Sequence, residues 1–176
     1  MTISLPPLTL VLGGASSGKS SYAESLATMT GAPRHYIATA QAFDAEMKAK
    51  IDAHREDRGT DWTTHEAPLD VNPALQATSP GDVVLLDCAT MWLSNHLLAE
   101  SDIYQQSDSL LNSLSDCKSP VIVVSNEVGH GIVPDNKIAR EFRNAQGRLN
   151  IAIAAQADLV VFVTAGLPQV LKGTLP

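Results

Sequence analysis

Gly13, Gly18, Lys19 and Ser20 satisfy the pattern G-x-x-x-x-G-K-[ST] without a mismatch, directly after the run Leu8-Thr9-Leu10-Val11-Leu12. Few short stretches restrict a fold as much, because the pattern makes chemical sense only between a strand and a helix. The run of β-formers supplies the strand, and a helical pattern follows Lys19. Between them Gly13, Gly14, Ala15, Ser16, Ser17 and Gly18 are small enough for backbone N–H groups to close around phosphate oxygens. Lys19 then reaches the β/γ-phosphates, the Ser20 hydroxyl ligates Mg²⁺, and the helix offers its positive end. A surface turn with chance glycines would match the letters but not the strand-before, helix-after context. A nucleotide phosphate site is expected here.

The chain has 176 residues, 44% hydrophobic and 18% charged, which suits one domain over residues 1–176 with a sizeable core. A formal charge of -7 argues against a nucleic-acid partner and against an anionic membrane surface. No apolar run is long enough for a membrane span, and the N-terminus lacks a basic segment followed by a long apolar core. Cys88 and Cys117 form neither a C-x-x-C nor a metal-ligand spacing, so free thiols in a reducing cytoplasm are expected.

Periodicity divides the rest. A helix is expected over 20–29, with Tyr22, Ala23, Leu26 and Ala27 on one face and Gly31 and Pro33 ending it. Residues 35–39 read as a short strand, and Phe43, Met47 and Ile51 predict a helix over 44–57. Residues 62–66 alternate weakly as another strand; 68–81 form a proline-punctuated connector with one short helix around Ala74 and Leu75. Residues 83–87, 121–125 and 159–163 are almost wholly apolar strands of the kind buried in parallel sheets. Helices are expected over 91–100, 102–114 and 135–157, the last carrying Ile138, Phe142, Ala145, Leu149 and Ile153 on one stripe. The tail over 166–176 adds a short edge strand. Strands alternating with helices imply an α/β fold, a mainly parallel sheet with helices on both faces, and a nucleotide at the carboxyl ends of the strands.

Three further places carry chemistry. Asp87 ends an apolar strand, where a carboxylate holds Mg²⁺ directly or through water; its alternative is to cap the next helix. His54 lies near the apolar face of the 44–57 helix with Arg55 and Arg58 close by. On an apolar stripe it reads as a core histidine; beside phosphates a neutral imidazole is a nucleophile, and guanidiniums hold phosphate oxygens. Spacing alone does not choose. Asn126 and Glu127 follow a buried strand into the glycine-bearing loop 125–134, which serves either the site or the cap of the long helix.

In this order, Gly13-Gly14-Ala15-Ser16-Ser17-Gly18-Lys19-Ser20, Tyr36-Ile37-Ala38-Thr39-Ala40, the run Ile51…His54-Arg55…Arg58…Trp62…Glu66, Leu85-Leu86-Asp87-Cys88 and Ser125-Asn126-Glu127-Val128-Gly129-His130-Gly131-Ile132-Val133-Pro134 form a distinctive series. The series resembles the bifunctional adenosylcobinamide kinase/adenosylcobinamide-phosphate guanylyltransferase family of cobalamin assembly. The similarity continues through Arg140-Glu141-Phe142-Arg143 and Gly147-Arg148-Leu149-Asn150, nearly the whole chain. The phosphate loop alone is unspecific; the His-Arg helix and the Asn-Glu-Val-Gly loop together are highly specific.

The resemblance implies a P-loop NTPase of RecA-like fold, a homotrimer, and two consecutive reactions. Adenosylcobinamide is phosphorylated with ATP or GTP; GMP is then moved from GTP to adenosylcobinamide phosphate through a guanylylated histidine. By resemblance His54 is that histidine, and Ala38, Thr39, Ala40, Arg55, Glu56, Asp57, Arg58, Glu66 and Asp87 lie in guanine-nucleotide-binding segments. The chain departs from the pattern at Ser16, where Arg is usual, at Gly59, where Pro usually follows the Arg, and at His130, where Met is frequent. A kinase of single activity would not need His54, and a nucleotide switch would use the loop to order a partner-binding segment.

Overall fold

The computed structural model describes residues 2–41, 49 and 61–176. The β-forming runs become strands β1 (Leu8–Gly13), β2 (Arg34–Ala38), β3 (Trp62–Glu66), β4 (Val83–Asp87), β5 (Val121–Asn126), β6 (Leu159–Thr164) and β7 (Leu167–Lys172). They pair in one sheet ordered β3-β2-β4-β5-β1-β6-β7. The first six run parallel, and β7 returns antiparallel along β6. The helices bounded within the described residues are α1 (Lys19–Met29), α2 (Asn72–Gln76), α3 (Ala89–Leu98), α4 (Ile103–Asp116) and α5 (Lys137–Gln156).

Alternation along each strand divides the core into two layers. Leu8, Leu10, Leu12, Ile37, Val84, Leu86, Val121 and Val123 face Leu75, Trp92, Leu93, Leu110, Leu149 and Ile153, so α2 to α5 cover this side. Val11, Tyr36, Val83, Leu85, Ile122, Val124 and Val161 face Ala23, Leu26 and Ala27 of α1. Helices therefore lie on both faces, as alternation requires of a buried parallel sheet. Leu10 and Leu85 are fully enclosed, and truncating either to Ala should cost about 2–5 kcal/mol.

Three readings of the sequence need adjustment. Ile138 is 75% exposed, so the buried stripe of α5 does not begin there. The buried residues are Ala145, Gln146, Leu149, Asn150 and Ile153, with Phe142 packed at their margin, because the first turn of α5 overhangs the core. β5 runs one residue further than expected, to Asn126, and β2 begins at Arg34. The helix expected over 44–57 lies outside the described residues.

His96 ties α3 to the segment after β3. Its Nε2–H donates to the Leu69 carbonyl at 3.2 Å, Nδ1 lies 3.1 Å from the Ser101 hydroxyl, and Trp92 Nε1–H donates to the same carbonyl at 2.7 Å. One neutral tautomer satisfies both ring contacts. Burial, the largest influence, holds its pKa below the ordinary 6.5, with the Leu69 carbonyl and Asp70 pulling the other way. The unfolded chain therefore binds a proton at His96 more readily than the folded one. Its stabilisation is complete above about pH 6.5 and is lost as pH falls. Urea midpoints should fall from pH 7.5 to 5.5, and the fall should be shallower in His96→Gln.

Candidate nucleotide site

The register of the sheet gathers the predicted residues at one edge. β5 lies between β1 and β4, with Gly13 opposite Asn126 and Asp87 opposite Val124. Ala38 is opposite both Asp87 and Glu66. Counting by twos from Leu85, Val124, Tyr36 and Trp62, all in or against the α1-side layer, puts Asp87, Asn126, Ala38 and Glu66 on that face. The loop and α1 occupy the same face. The structure thus puts residues 13–20, Ala38, Glu66 and Asp87 at one end of the sheet on one face, with Glu66 on the edge strand β3 farthest from the loop. His54, Arg55, Glu56, Asp57 and Arg58 lie outside the described residues.

The loop turns through left-handed backbone at Ser16 (φ 54°) and Gly18 (φ 91°). Glycine is required at two points. A Cβ on Gly13 would run into the Ser17 hydroxyl, and one on Gly18 would sit 3.1 Å from the Gly166 Cα. Lys19 Nζ donates to the Gly14 carbonyl at 3.1 Å, folding the side chain back over its own loop. In front lies an open cavity of about 370 Å³ lined by Ser16, Ser17, Gly18, Lys19, Ser20 and Ser21. No side chain caps the amino end of α1, and its first turn holds no acidic residue. Its N–H groups and positive end are therefore left for an anion.

Asp87 does not cap the next helix. Cys88 does, its Sγ accepting from the Met91 N–H at 3.5 Å. Burial, then Asp87, pushes the Cys88 thiol up to about 11, so it stays protonated at neutral pH. The buried Thr39 hydroxyl donates to the Cys88 carbonyl and accepts from the Cys88 N–H, both at 2.8 Å. Asn95 Nδ2 donates to the Thr39 carbonyl at 2.7 Å and to that of Pro68 at 2.9 Å. The strap 38–40 is thereby locked to the end of β4, with the Thr39 hydroxyl spent on that lock.

The loop after β5 is pinned as well. Asn126 N–H donates to Thr90 Oγ1 at 2.8 Å, and Glu127 N–H to the Gly13 carbonyl at 3.0 Å. Glu127 Oε1 accepts from Gly129 N–H at 2.5 Å. Asn136 caps α5, accepting from Ala139 N–H at 2.8 Å, so Asn126 and Glu127 are not the helix cap. His130 is exposed in this loop. Among the other histidines, His35 lies 3.2 Å from Asp82 and 3.0 Å from His65, and His96 is held as described.

Periodicity missed the turn between β6 and β7. Ala165 (φ 52°) and Gly166 (φ 77°) form it, and Gly166 N–H donates to the Ser17 carbonyl at 2.8 Å, bracing the phosphate loop from β6. The only local signal is the glycine itself.

The donor set suits Mg²⁺. Ser20 and Asp87 offer hard oxygens at one edge, and the described residues contain no cluster of three His, Cys, Asp or Glu. Mg²⁺ is characteristically held by one or two protein oxygens together with substrate phosphates and water.

The family model described as cobinamide kinase / cobinamide phosphate guanyltransferase matches residues 9–171. The bifunctional adenosylcobalamin biosynthesis protein CobP of Pseudomonas aeruginosa is 42% identical over 167 residues, 93% of this chain and 96% of that protein. The corresponding protein CobU of Salmonella typhimurium is 38% identical over 182 residues, 94% of this chain and 99% of that one. Among solved structures, the RadB recombinase aligns at TM-score 0.50 and 18% identity, covering 90% of this chain and 74% of that one. The flagellar accessory protein FlaH of Methanocaldococcus jannaschii aligns at 0.51 and 14%, covering 95% and 78%. These two likenesses concern the fold, that of P-loop NTPases. Among the described residues no helix is long and apolar enough to cross a membrane.

Proposed function

The chain belongs to the cobinamide kinase / cobinamide phosphate guanyltransferase family, and from that premise we propose how its residues divide two reactions between them. It is a bifunctional enzyme of adenosylcobalamin biosynthesis that uses nucleoside triphosphates. The observation that supports the assignment of residues is that loop 13–20, Ala38, Glu66 and Asp87 lie on one face at one end of the sheet.

In the kinase step ATP or GTP sits with its phosphates in the loop; the aminopropanol hydroxyl of adenosylcobinamide attacks the γ-phosphorus, the bond from that phosphorus to the β,γ-bridging oxygen breaks, ADP or GDP leaves, and the hydroxyl proton is lost to solvent. Backbone N–H groups of residues 13–18 and the amino end of α1 hold the phosphate oxygens. Lys19 turns from Gly14 to the β/γ-phosphates and stabilises the charge that develops there. The Ser20 hydroxyl and the Asp87 carboxylate would hold Mg²⁺, which would supply further neutralisation of phosphate charge.

In the second step a neutral ring nitrogen of His54 forms a bond to the α-phosphorus of GTP, and pyrophosphate leaves. A phosphate oxygen of adenosylcobinamide phosphate then attacks the same phosphorus, the P–N bond breaks, and His54 is regenerated. The product is adenosylcobinamide-GDP. Ala38, Thr39, Ala40, Arg55, Glu56, Asp57, Arg58 and Glu66 surround the guanine nucleotide, and the guanidiniums hold phosphate oxygens bidentately.

The test is incubation with α-labelled GTP. Acid-labile label on the protein, discharged by adenosylcobinamide phosphate, supports the reading; product formation with no labelled protein would sink the histidine intermediate. We also propose that the chain works as a single domain and as a cytoplasmic homotrimer with its sites between subunits. A chain of 176 residues has little surface of its own to enclose a large corrinoid. Light scattering should give three times the chain mass at micromolar concentration, and a fully active monomer overturns the assembly.

A further inference from the structure

At the β2–β3 margin, on the face of the sheet that Ile37 shares, three titratable side chains run in line, and neither reaction uses them. His35 and His65 are diagonal neighbours on parallel strands, since His35 is opposite Thr63 and Ile37 is opposite His65. Their rings lie nearly parallel, 18° apart, and His35 Nδ1 is 3.0 Å from His65 Nε2. His35 Nε2 is 3.2 Å from Asp82 Oδ2, the two side chains being 14% and 15% exposed. The same carboxylate oxygen accepts from the Ser79 N–H at 2.7 Å, which fixes it in the turn before β4. β3 is the edge strand, so β2 alone among the described strands pairs with its backbone.

This arrangement limits how many protons the rings can carry. A carboxylate only accepts, so His35 Nε2 bears a hydrogen. With both rings neutral, His35 Nδ1 accepts from His65 Nε2–H; with one added proton, one ring still donates to the other. A second added proton sets N–H against N–H across 3.0 Å, and the bond is lost. Other charged groups nearby are engaged elsewhere. Arg34 pairs with Asp61 at 3.2 Å and lies over Trp62, Glu66 falls on the opposite face, and Asp70 accepts from the Asn72 N–H at 3.0 Å. The α2 helix and residues 77–81 carry no charged side chain. Burial first, and His35 second, hold the His65 pKa below the ordinary 6.5. The unfolded chain takes that proton more readily, so the pair stabilises β3 fully above about pH 6.5 and progressively less below it.

We propose that Asp82, His35 and His65 are positioning residues for guanylyl transfer: the ring pair holds edge strand β3, and so Glu66, in place only while it carries at most one added proton. The inference rests on the reading of Glu66 as a contact of the guanine nucleotide. His65 and Glu66 are consecutive on one strand and face opposite sides of it. A β3 that parts from β2 at His65 therefore carries Glu66 away from Ala38, its opposite number on β2. The phosphate loop and Asp87 stand on β1 and β4, which pair with β5 and not with β3. Acid thus weakens guanylyl transfer through β3 and does not reach phosphorylation by ATP along this route.

The experiment follows hydrogen exchange of the full chain by mass spectrometry at pH 7.5, 6.5 and 5.5, corrected for the intrinsic pH dependence of exchange, with both reactions assayed alongside. Protection of residues 63–66 should fall about tenfold across that range, one hydrogen bond to a charged group, while β1 and β5 stay within about twofold. His65→Gln keeps a donor for His35 Nδ1 and takes no proton, so its protection should change by less than about twofold. His54 must be neutral to attack, which gives guanylyl transfer an acid loss common to parent and variant. Beyond that shared loss, the KM for GTP should rise at least about threefold more in the parent than in His65→Gln, as expected of a displaced contact. His96→Gln should respond like the parent. Protection of β3 that ignores pH, a His65→Gln that keeps the fall, a His96→Gln that loses it, or equal KM responses in parent and His65→Gln would overturn the inference. Where His65→Gln does not fold, His35→Gln takes the same test. A parent that transfers no guanylyl group at any pH overturns the functional reading, and the exchange data then still decide whether the pair holds β3.

Discussion

Lys19→Ala should lower nucleotide-dependent turnover by at least about 100-fold while shifting the unfolding free energy by less than about 1 kcal/mol. The two magnitudes separate because of what Lys19 touches. In the structure its ammonium meets the Gly14 carbonyl, which also accepts from the Ser17 N–H at 3.3 Å. Removing the lysine therefore strands no buried group, and the loop keeps its turns at Ser16 and Gly18. Turnover has no such substitute. Phosphoryl transfer asks the protein for positioning and charge, and Lys19 is the side-chain cation among the residues lining the cavity in front of the loop. Steady-state kinetics beside urea unfolding of the same preparation gives both numbers. A variant that turns over nucleotide like the parent would show that the phosphates bind elsewhere.

The central strands β1, β4, β5 and β6 were legible because each is a short, mostly apolar run, and periodicity needs nothing beyond neighbours in sequence to find them. Their order was not, since β1 pairs with β5 and β6, far away in the chain. Order decides the site: it sets Asp87 two strands away from the strand that carries the loop, with Asn126 between them. The buried polar positions of α5 were invisible for a related reason. Gln146 and Asn150 sit on the buried side of α5, but polar letters in a helix read as solvent-facing, whereas Ile138 reads as core and is exposed. The cap of α3 misleads in the same way. Capping rules favour Asp87, yet the fold uses Cys88 and so frees the carboxylate for the site.

His54→Asn should abolish acid-labile protein labelling from α-labelled GTP and the guanylyl transfer that depends on it, and leave phosphorylation of adenosylcobinamide within about threefold of the parent. The kinase step draws on the loop, Lys19, the metal oxygens and a placed hydroxyl, none of which is an imidazole. The guanylyl step needs a nucleophile that survives as a covalent adduct, and asparagine keeps the size of histidine without the basic nitrogen. Of the five histidines, three are committed to structure. His35 engages both Asp82 and His65, and His96 spends both nitrogens on Leu69 and Ser101. Only His130 competes, since its loop leaves β5 beside Gly13 at the same sheet edge. The deciding comparison is therefore labelling of His54→Asn beside His130→Asn, each checked for retained kinase activity. Label lost in the first and kept in the second fixes the nucleophile at His54. The reverse pattern moves it to the glycine-flanked loop and leaves the 50–58 segment a role in holding phosphate oxygens through Arg55 and Arg58.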